Sequence, residues 1–238
     1  MTLVSLSAVY MCANIFVAFA ADAQEPTFDC TPRARIVTEN LEKSTDENHM
    51  DGYTFLEKDT RFDLVMTSLT LLEGFDGAVG VSFDCISTVT TDKEDSKHEV
   101  TETVDYKNAT TQKWTTFSQR FGFETLHGGY NLMKSKELSG APSGNYEFLY
   151  VVKKCAVVKV TEFGNRISEE DDDDDITERE EPQSVDERPH CMMWTKHQET
   201  YATQNFCEKF FTNCCKPKNP NYEYSPAKCN VPEQRVDL

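Results

Sequence analysis

Residues 146–160 read YEFLYVVKKCAVVKV and decide the fold, because they lack glycine and proline and are rich in Val, Tyr and Phe. This composition is typical of a β-strand. Successive side chains of a strand point to opposite faces, so the even positions from Tyr146 to Val158 predict an apolar face that only Lys154 interrupts. Cys155 lies on the other face. The stretch therefore predicts one long strand whose apolar face looks into a core.

A shorter stretch, residues 191–194 with the sequence CMMW, repeats this arrangement. Met192 and Trp194 share one face, and Cys191 lies on the other. We expect this segment to be a neighbouring strand of the same barrel, with its cysteine outside.

The chain from residue 62 to residue 137 has the pattern of antiparallel strands. Alternating apolar and polar residues indicate half-buried strands, and a Gly-Gly pair at 128–129 indicates a hairpin turn. Short strands that are joined by turns and not by helices argue for an antiparallel barrel or sandwich. The predicted strands are 62–72, 78–89, 98–106, 113–123 and 130–137.

The C-terminal region instead predicts a helix. Asn205 precedes Glu208 by three residues, as in a capping box, and Pro217 ends the run. We expect this helix to lie on the outside of the sheet, where its cysteines can meet those of the strands. Its apolar residues recur at helical spacing and are Phe206, Cys207, Phe210, Phe211 and Cys214.

The N-terminus predicts export. Residues 3–20 form an uncharged apolar run that ends in small residues, which is typical of a signal peptide cleaved after Ala20 or Ala23. A membrane anchor is the alternative, but the run is short for a hydrocarbon core of about 30 Å. Residues 1–20 are therefore predicted to be a signal peptide, 24–238 to be a single domain, and the protein to be secreted and extracellular.

The cysteine content agrees with an oxidising compartment. Nine cysteines are present, and loss of Cys12 with the signal peptide leaves an even set that can form four disulfides. No C-x-x-C pair occurs, so no metal site is predicted. The sequon that starts at Asn108 predicts an exposed glycosylation site. The remaining cysteines are Cys30, Cys85, Cys155, Cys191, Cys207, Cys214, Cys215 and Cys229.

The net charge of -17 excludes several partners. Nucleic acids and anionic membranes require a basic surface, so neither is expected to bind.

Many of the acidic residues lie in residues 168–188, a low-complexity segment that predicts a disordered hairpin loop between two strands. A calcium loop is disfavoured because Ile176 stands where an EF-hand needs glycine. The segment could instead attract a basic partner.

Several short motifs together resemble the tick salivary lipocalins of the histamine-binding family. Asp51-Gly52-Tyr53, which leads into a predicted helical turn, resembles the family's Asp-Ala-Trp start. The strand that contains Cys155 resembles the family's long strand, and the CMMW segment resembles its Cys/Tyr-Glu-Leu-Trp motif. The resemblance implies an all-β fold: an eight-stranded antiparallel up-and-down lipocalin barrel with a C-terminal helix packed outside.

The resemblance also implies part of the disulfide pattern. By the family's spacing, Cys85 pairs with Cys229 and Cys155 pairs with Cys207. The pairing within the remaining set stays open: Cys30, Cys191, Cys214 and Cys215.

The ligand site is predicted from the same resemblance. In the family's amine binders, carboxylates inside the barrel hold the ammonium, but Ala156, Met192 and Gln119 stand at three of those positions here. Only Asp76 matches a family acid, so we expect a neutral cavity that binds histamine weakly and favours an apolar ligand. Filling of the core is the alternative role for each candidate residue. The candidate ligand-binding residues are Asp76, Trp114, Gln119, Tyr146, Phe148, Tyr150, Met192 and Trp194.

The sequence predicts no catalytic residue and no cofactor, because it contains neither a G-x-S-x-G nor an H-E-x-x-H motif. We expect a monomeric, non-enzymatic lipocalin that sequesters a small host mediator and so blunts inflammatory and haemostatic defence. The resemblance implies histamine or a related biogenic amine, whereas the missing acids favour a lipid mediator. A third hypothesis is that the acidic surface captures a basic host protein.

Overall fold

The computed structural model describes residues 28–32, 49–69, 83–136, 143–163, 187–197, 205–222 and 224–229. Eight antiparallel strands form a closed barrel in chain order, and the last strand pairs with the first. The predicted fold class is confirmed. The strands are β1 (Arg61–Thr67), β2 (Phe83–Glu94), β3 (Glu99–Asn108), β4 (Trp114–Leu126), β5 (Gly129–Ser135), β6 (Gly144–Val152), β7 (Cys155–Phe163) and β8 (Cys191–Lys196).

The stretch 146–160 is a hairpin and not the single strand that its composition predicts. β6 ends at Val152, β7 begins at Cys155, and these two residues pair across a two-residue turn at Lys153 and Lys154. Neither turn residue has a positive φ. The turn therefore requires no glycine or asparagine, and the sequence carries none of the usual hairpin signals.

A β-bulge in β6 inverts the face on which its last side chains lie. The register shifts between Phe148, which pairs with Val158, and Tyr150, which pairs with Val157. An extra residue in one strand moves all following side chains to the other face. The prediction that Tyr150 faces the interior is therefore wrong: its ring stacks on Phe210 outside the barrel, with ring centroids 5.1 Å apart.

The helix α2 (Asn205–Cys214) packs outside the barrel against β6, β7 and β8. Phe210 and Phe211 are buried with Tyr150 and Val157 in one apolar cluster beneath the helix. Burial of the apolar face of α2 explains why the helix lies here, and the spacing of its apolar residues predicts that face.

Four disulfides hold the terminal segments in place: three reach strands of the barrel, and one joins the N-terminal segment to α2. Cys155–Cys207 and Cys191–Cys215 tie α2 and the residue that follows it to β7 and β8. Cys85–Cys229 and Cys155–Cys207 are the two bridges that the family resemblance implies. The structure also resolves the pairing that stayed open, because the fourth bridge is Cys30–Cys214.

A short helix, α1 (Gly52–Phe55), closes one end of the barrel next to β5 and β6. Lys93 on β2 holds it in place, since its Nζ donates to the carbonyl oxygens of Tyr53 at 2.7 Å and Leu56 at 2.8 Å. The strand connections at this end are short and include 127–128 and 153–154. The last residues of β1, β5 and β7 and the first residues of β2, β6 and β8 lie at the opposite end.

Replacing Asp51 by alanine should lower the free energy of unfolding by about 1–2 kcal/mol. The Asp51 carboxylate is 2 % exposed and accepts hydrogen bonds from the backbone N–H groups of Thr54 at 2.8 Å and Tyr130 at 3.1 Å. Urea denaturation would measure the loss. Asp51→Asn keeps a side-chain acceptor and should lose less stability. Equal stability of the alanine variant and the wild type would contradict the stabilising role of the Asp51 carboxylate.

Several predictions fall outside the described residues. They concern the signal peptide at 1–20, Asp76, and most of the acidic segment 168–188. Asn108 is described, and its Oδ1 accepts from the backbone N–H groups of Thr110 and Thr111. Its glycosylation stays a prediction. No helix within the described ranges is long and apolar enough to cross a membrane.

Candidate functional site

Inward side chains of the strands line a cavity of about 80 Å³ inside the barrel. Its wall is mostly apolar and aromatic because inward positions alternate with outward ones along each strand. Phe55 of α1 and Leu56, which follows the helix, line it at one end. The aromatic side chains of the barrel wall are Phe62, Phe121, Tyr146, Phe148 and Trp194.

Three of the predicted ligand-binding residues meet in this cavity. Tyr146 and Phe148 reach it from β6 before the bulge, and Trp194 reaches it from β8. Phe148 packs on Phe123, while Tyr146 meets Phe121 edge to face with ring centroids 5.9 Å apart. The alternation of β6 and β8 thus brings together aromatic side chains from two strands that are separated by β7.

A carboxylate also lines the cavity. Glu102 lies on β3 and is 3 % exposed. The Thr90 hydroxyl donates to its Oε1 and the Thr88 hydroxyl donates to its Oε2, each at 2.7 Å. Thr90 pairs directly with Glu102 across the two strands, so the sheet register fixes this arrangement. Glu102 is the only carboxylate among the described residues of the cavity wall.

The environment of Glu102 makes its charge responsive to a ligand. Burial raises the pKa of Glu102 to about 7, while hydrogen bonds from Thr90 and Thr88 and the charge of Lys93 lower it by less. Near neutral pH the carboxyl group is therefore divided between its two protonation states. A cation that entered the cavity would favour the ionised form, because an opposite charge nearby lowers the pKa of a carboxyl group.

The expectation of a neutral cavity is therefore wrong. The family positions Ala156, Met192 and Gln119 carry no acid, but Glu102 supplies one from a different strand. The signal was present in the sequence, because Glu102 is in phase with Val100 and the other apolar residues of β3. An acid on the apolar face of an alternating strand indicates a buried carboxylate.

The other predicted ligand-binding residues do not line this cavity. Trp114 is the first residue of β4 and pairs with Lys107, and Tyr150 lies beneath α2. Gln119 is buried opposite Glu102 in the register, and its Nε2 donates to the carbonyl oxygen of Arg120. Met192 is buried in the adjacent apolar cluster.

A second buried carboxylate, Asp63 on β1, has a different role. The Nε of Arg61 at 3.1 Å, the Nδ1 of His197 at 2.7 Å and the hydroxyl of Tyr224 at 2.9 Å all contact its two oxygens. These contacts join β1, the end of β8 and the C-terminal segment. Asp63 is thus a structural anchor, and among the described residues no group of acids, histidines and cysteines could hold a metal ion.

A closed eight-stranded antiparallel barrel with an internal cavity and an outer helix is the architecture of a lipocalin-type ligand-binding protein. A family model described as tick histamine binding protein matches residues 40–168. This match covers more than half of the chain, and the chain belongs to that family of small-ligand-binding proteins, as its motifs predict. No curated protein matches the sequence significantly.

Proposed function

We propose that the protein binds a small biogenic amine inside its barrel, with the Glu102 carboxylate accepting hydrogen bonds from the ligand's ammonium group. The observation that carries this proposal is the position of Glu102, a buried acid in an aromatic cavity whose two oxygens are oriented by Thr90 and Thr88. Charge-assisted hydrogen bonds are stronger than neutral ones. The ring of Trp194, which also lines the cavity, can add a cation–π contact.

Histamine is the amine that the family name suggests. We infer that the protein is secreted, since four disulfides suit an oxidising compartment and residues 1–20 have the pattern of a signal peptide. A secreted, non-enzymatic binder of this kind would lower the free concentration of a host mediator and so weaken inflammatory and haemostatic responses.

The size of the cavity favours an amine over a lipid mediator. Its volume of about 80 Å³ is well below the roughly 150 Å³ of a cavity that binds benzene. A small aryl amine would need the displacement of one wall side chain, and Met133 is suited to this because it is flexible at three bonds. A fatty-acid-like ligand would need a cavity of at least about 300 Å³.

Titration calorimetry with matched ligands would test this proposal. Histamine and 4-methylimidazole share the imidazole ring but differ in the ammonium arm. At about pH 8, histamine should bind at least about 100-fold more tightly, because only its ammonium can pair with Glu102. Decanoic acid serves as the lipid probe and should bind more weakly than histamine. Equal affinity for the two imidazoles, or tighter binding of decanoic acid, would refute the proposal.

A further inference from the structure

The polar side chains of the cavity wall include Glu102 and Tyr146, which lie on well-separated strands of the barrel. Glu102 lies on β3 and Tyr146 on β6, which are three strands apart in a closed barrel of eight. An eight-stranded barrel is only wide enough to hold side chains or one small ligand. A ligand whose ammonium meets Glu102 would therefore extend across the barrel toward the wall that carries Tyr146.

The Tyr146 hydroxyl is available to such a ligand. Among the residues that the structure describes, none forms a hydrogen bond with it, whereas both oxygens of Glu102 already accept bonds from threonines. Burial raises the pKa of Tyr146, so this group stays neutral at any physiological pH. Tyr146 is half-buried, and a hydroxyl at the cavity wall that no described residue binds can donate to or accept from a ligand in the cavity.

Gly144 allows the Tyr146 ring to occupy this position. A β-carbon at residue 144 would overlap the Tyr146 hydroxyl oxygen and two carbons of its ring. Any other residue at 144 would therefore push the phenol away from its present place, and the close approach explains a glycine at the first position of β6.

We propose that Tyr146, seated against Gly144, binds a hydroxyl or an uncharged ring nitrogen at the end of the amine opposite its ammonium group. This inference rests on the proposed function and narrows its ligand class. One carboxylate in the cavity wall can neutralise one positive charge, and a second buried charge would stay unpaired. The site thus selects monocationic amines whose far end is polar but neutral.

Tyramine and phenethylamine provide the test, because they differ only in a phenolic hydroxyl. The wild type should bind tyramine about three- to tenfold more tightly in titration calorimetry, which corresponds to one net hydrogen bond. In Tyr146→Phe the ratio of the two affinities should fall to about one. Gly144→Ala, which displaces the hydroxyl without removing it, should lower the same ratio.

Tyr130→Phe is the matched control, because Tyr130 is a half-buried tyrosine that does not line the cavity and stacks on His98. It should keep the wild-type ratio. A preference for tyramine that survives in Tyr146→Phe, or equal binding of both amines to the wild type, would overturn this inference alone. If neither amine bound to the wild type, both this inference and the proposed function would be refuted.

Discussion

Replacing Glu102 by glutamine should weaken histamine binding at least about 100-fold. Glutamine keeps the size of the side chain but carries no charge. Its amide oxygen can accept from one of the two threonine hydroxyls, and its NH2 group can donate to the other. Removing one partner of a buried ion pair costs about 3–5 kcal/mol, and each 1.4 kcal/mol corresponds to a factor of ten in affinity. Titration calorimetry at about pH 8, where the carboxyl group of the wild type is mostly ionised, would measure the loss.

Glu124→Gln is the control for this experiment. Glu124 makes an exposed ion pair with Lys134 at 2.8 Å on the outer surface, and exposed pairs contribute little. Its replacement removes the same charge and should leave histamine affinity within about twofold of the wild type. Equal histamine affinity of Glu102→Gln and the wild type would contradict the proposed role of Glu102.

Amine affinity should fall nearly tenfold for each pH unit well below 7, and about 50-fold in all between pH 7 and pH 5. The reason is competition: the ammonium requires the ionised Glu102 carboxylate, whose pKa of about 7 in the unliganded protein means that a proton occupies it at lower pH. Above that pKa no proton has to be displaced, and the affinity should become constant. Amine affinity should therefore rise with pH up to about pH 7 and stay constant above it.

Phenethylamine is the suitable ligand for this measurement, because its ammonium is its only titratable group. Calorimetry across the pH range should also detect release of close to one proton per ligand below the pKa. The Glu102→Gln variant should show neither the slope nor the proton release. An affinity in the wild type that stays flat between pH 5 and pH 8 would show that the ammonium is bound elsewhere.

The antiparallel strands and the outer helix could be predicted from local periodicity, whereas the closed eight-stranded barrel was implied by the family resemblance. Cys191 faces α2 and Trp194 faces the cavity, as the alternation of the CMMW segment indicates. The hairpin at Lys153 and Lys154 could not be located in the same way. Two lysines interrupt an otherwise continuous apolar run there, but a turn without a positive φ needs no special residue and leaves no other signal.

The site was predicted only in part, for reasons that lie in strand pairing. Phe148 was placed correctly by alternation, whereas the bulge that turns Tyr150 outward depends on how β6 pairs with β7. Glu102 was not predicted, because the family resemblance implies acids at other positions. Its in-phase position on β3 is visible in the sequence, but its partner Thr90 is set by the register with β2, which the sequence does not reveal.

A crystal structure of the protein with histamine would test the central claim most directly. The ammonium nitrogen should lie about 2.7–2.9 Å from a Glu102 carboxylate oxygen, which is the distance of a charge-assisted hydrogen bond. Histamine bound outside the barrel, or bound inside it with the ammonium beyond about 4 Å from Glu102, would contradict the account.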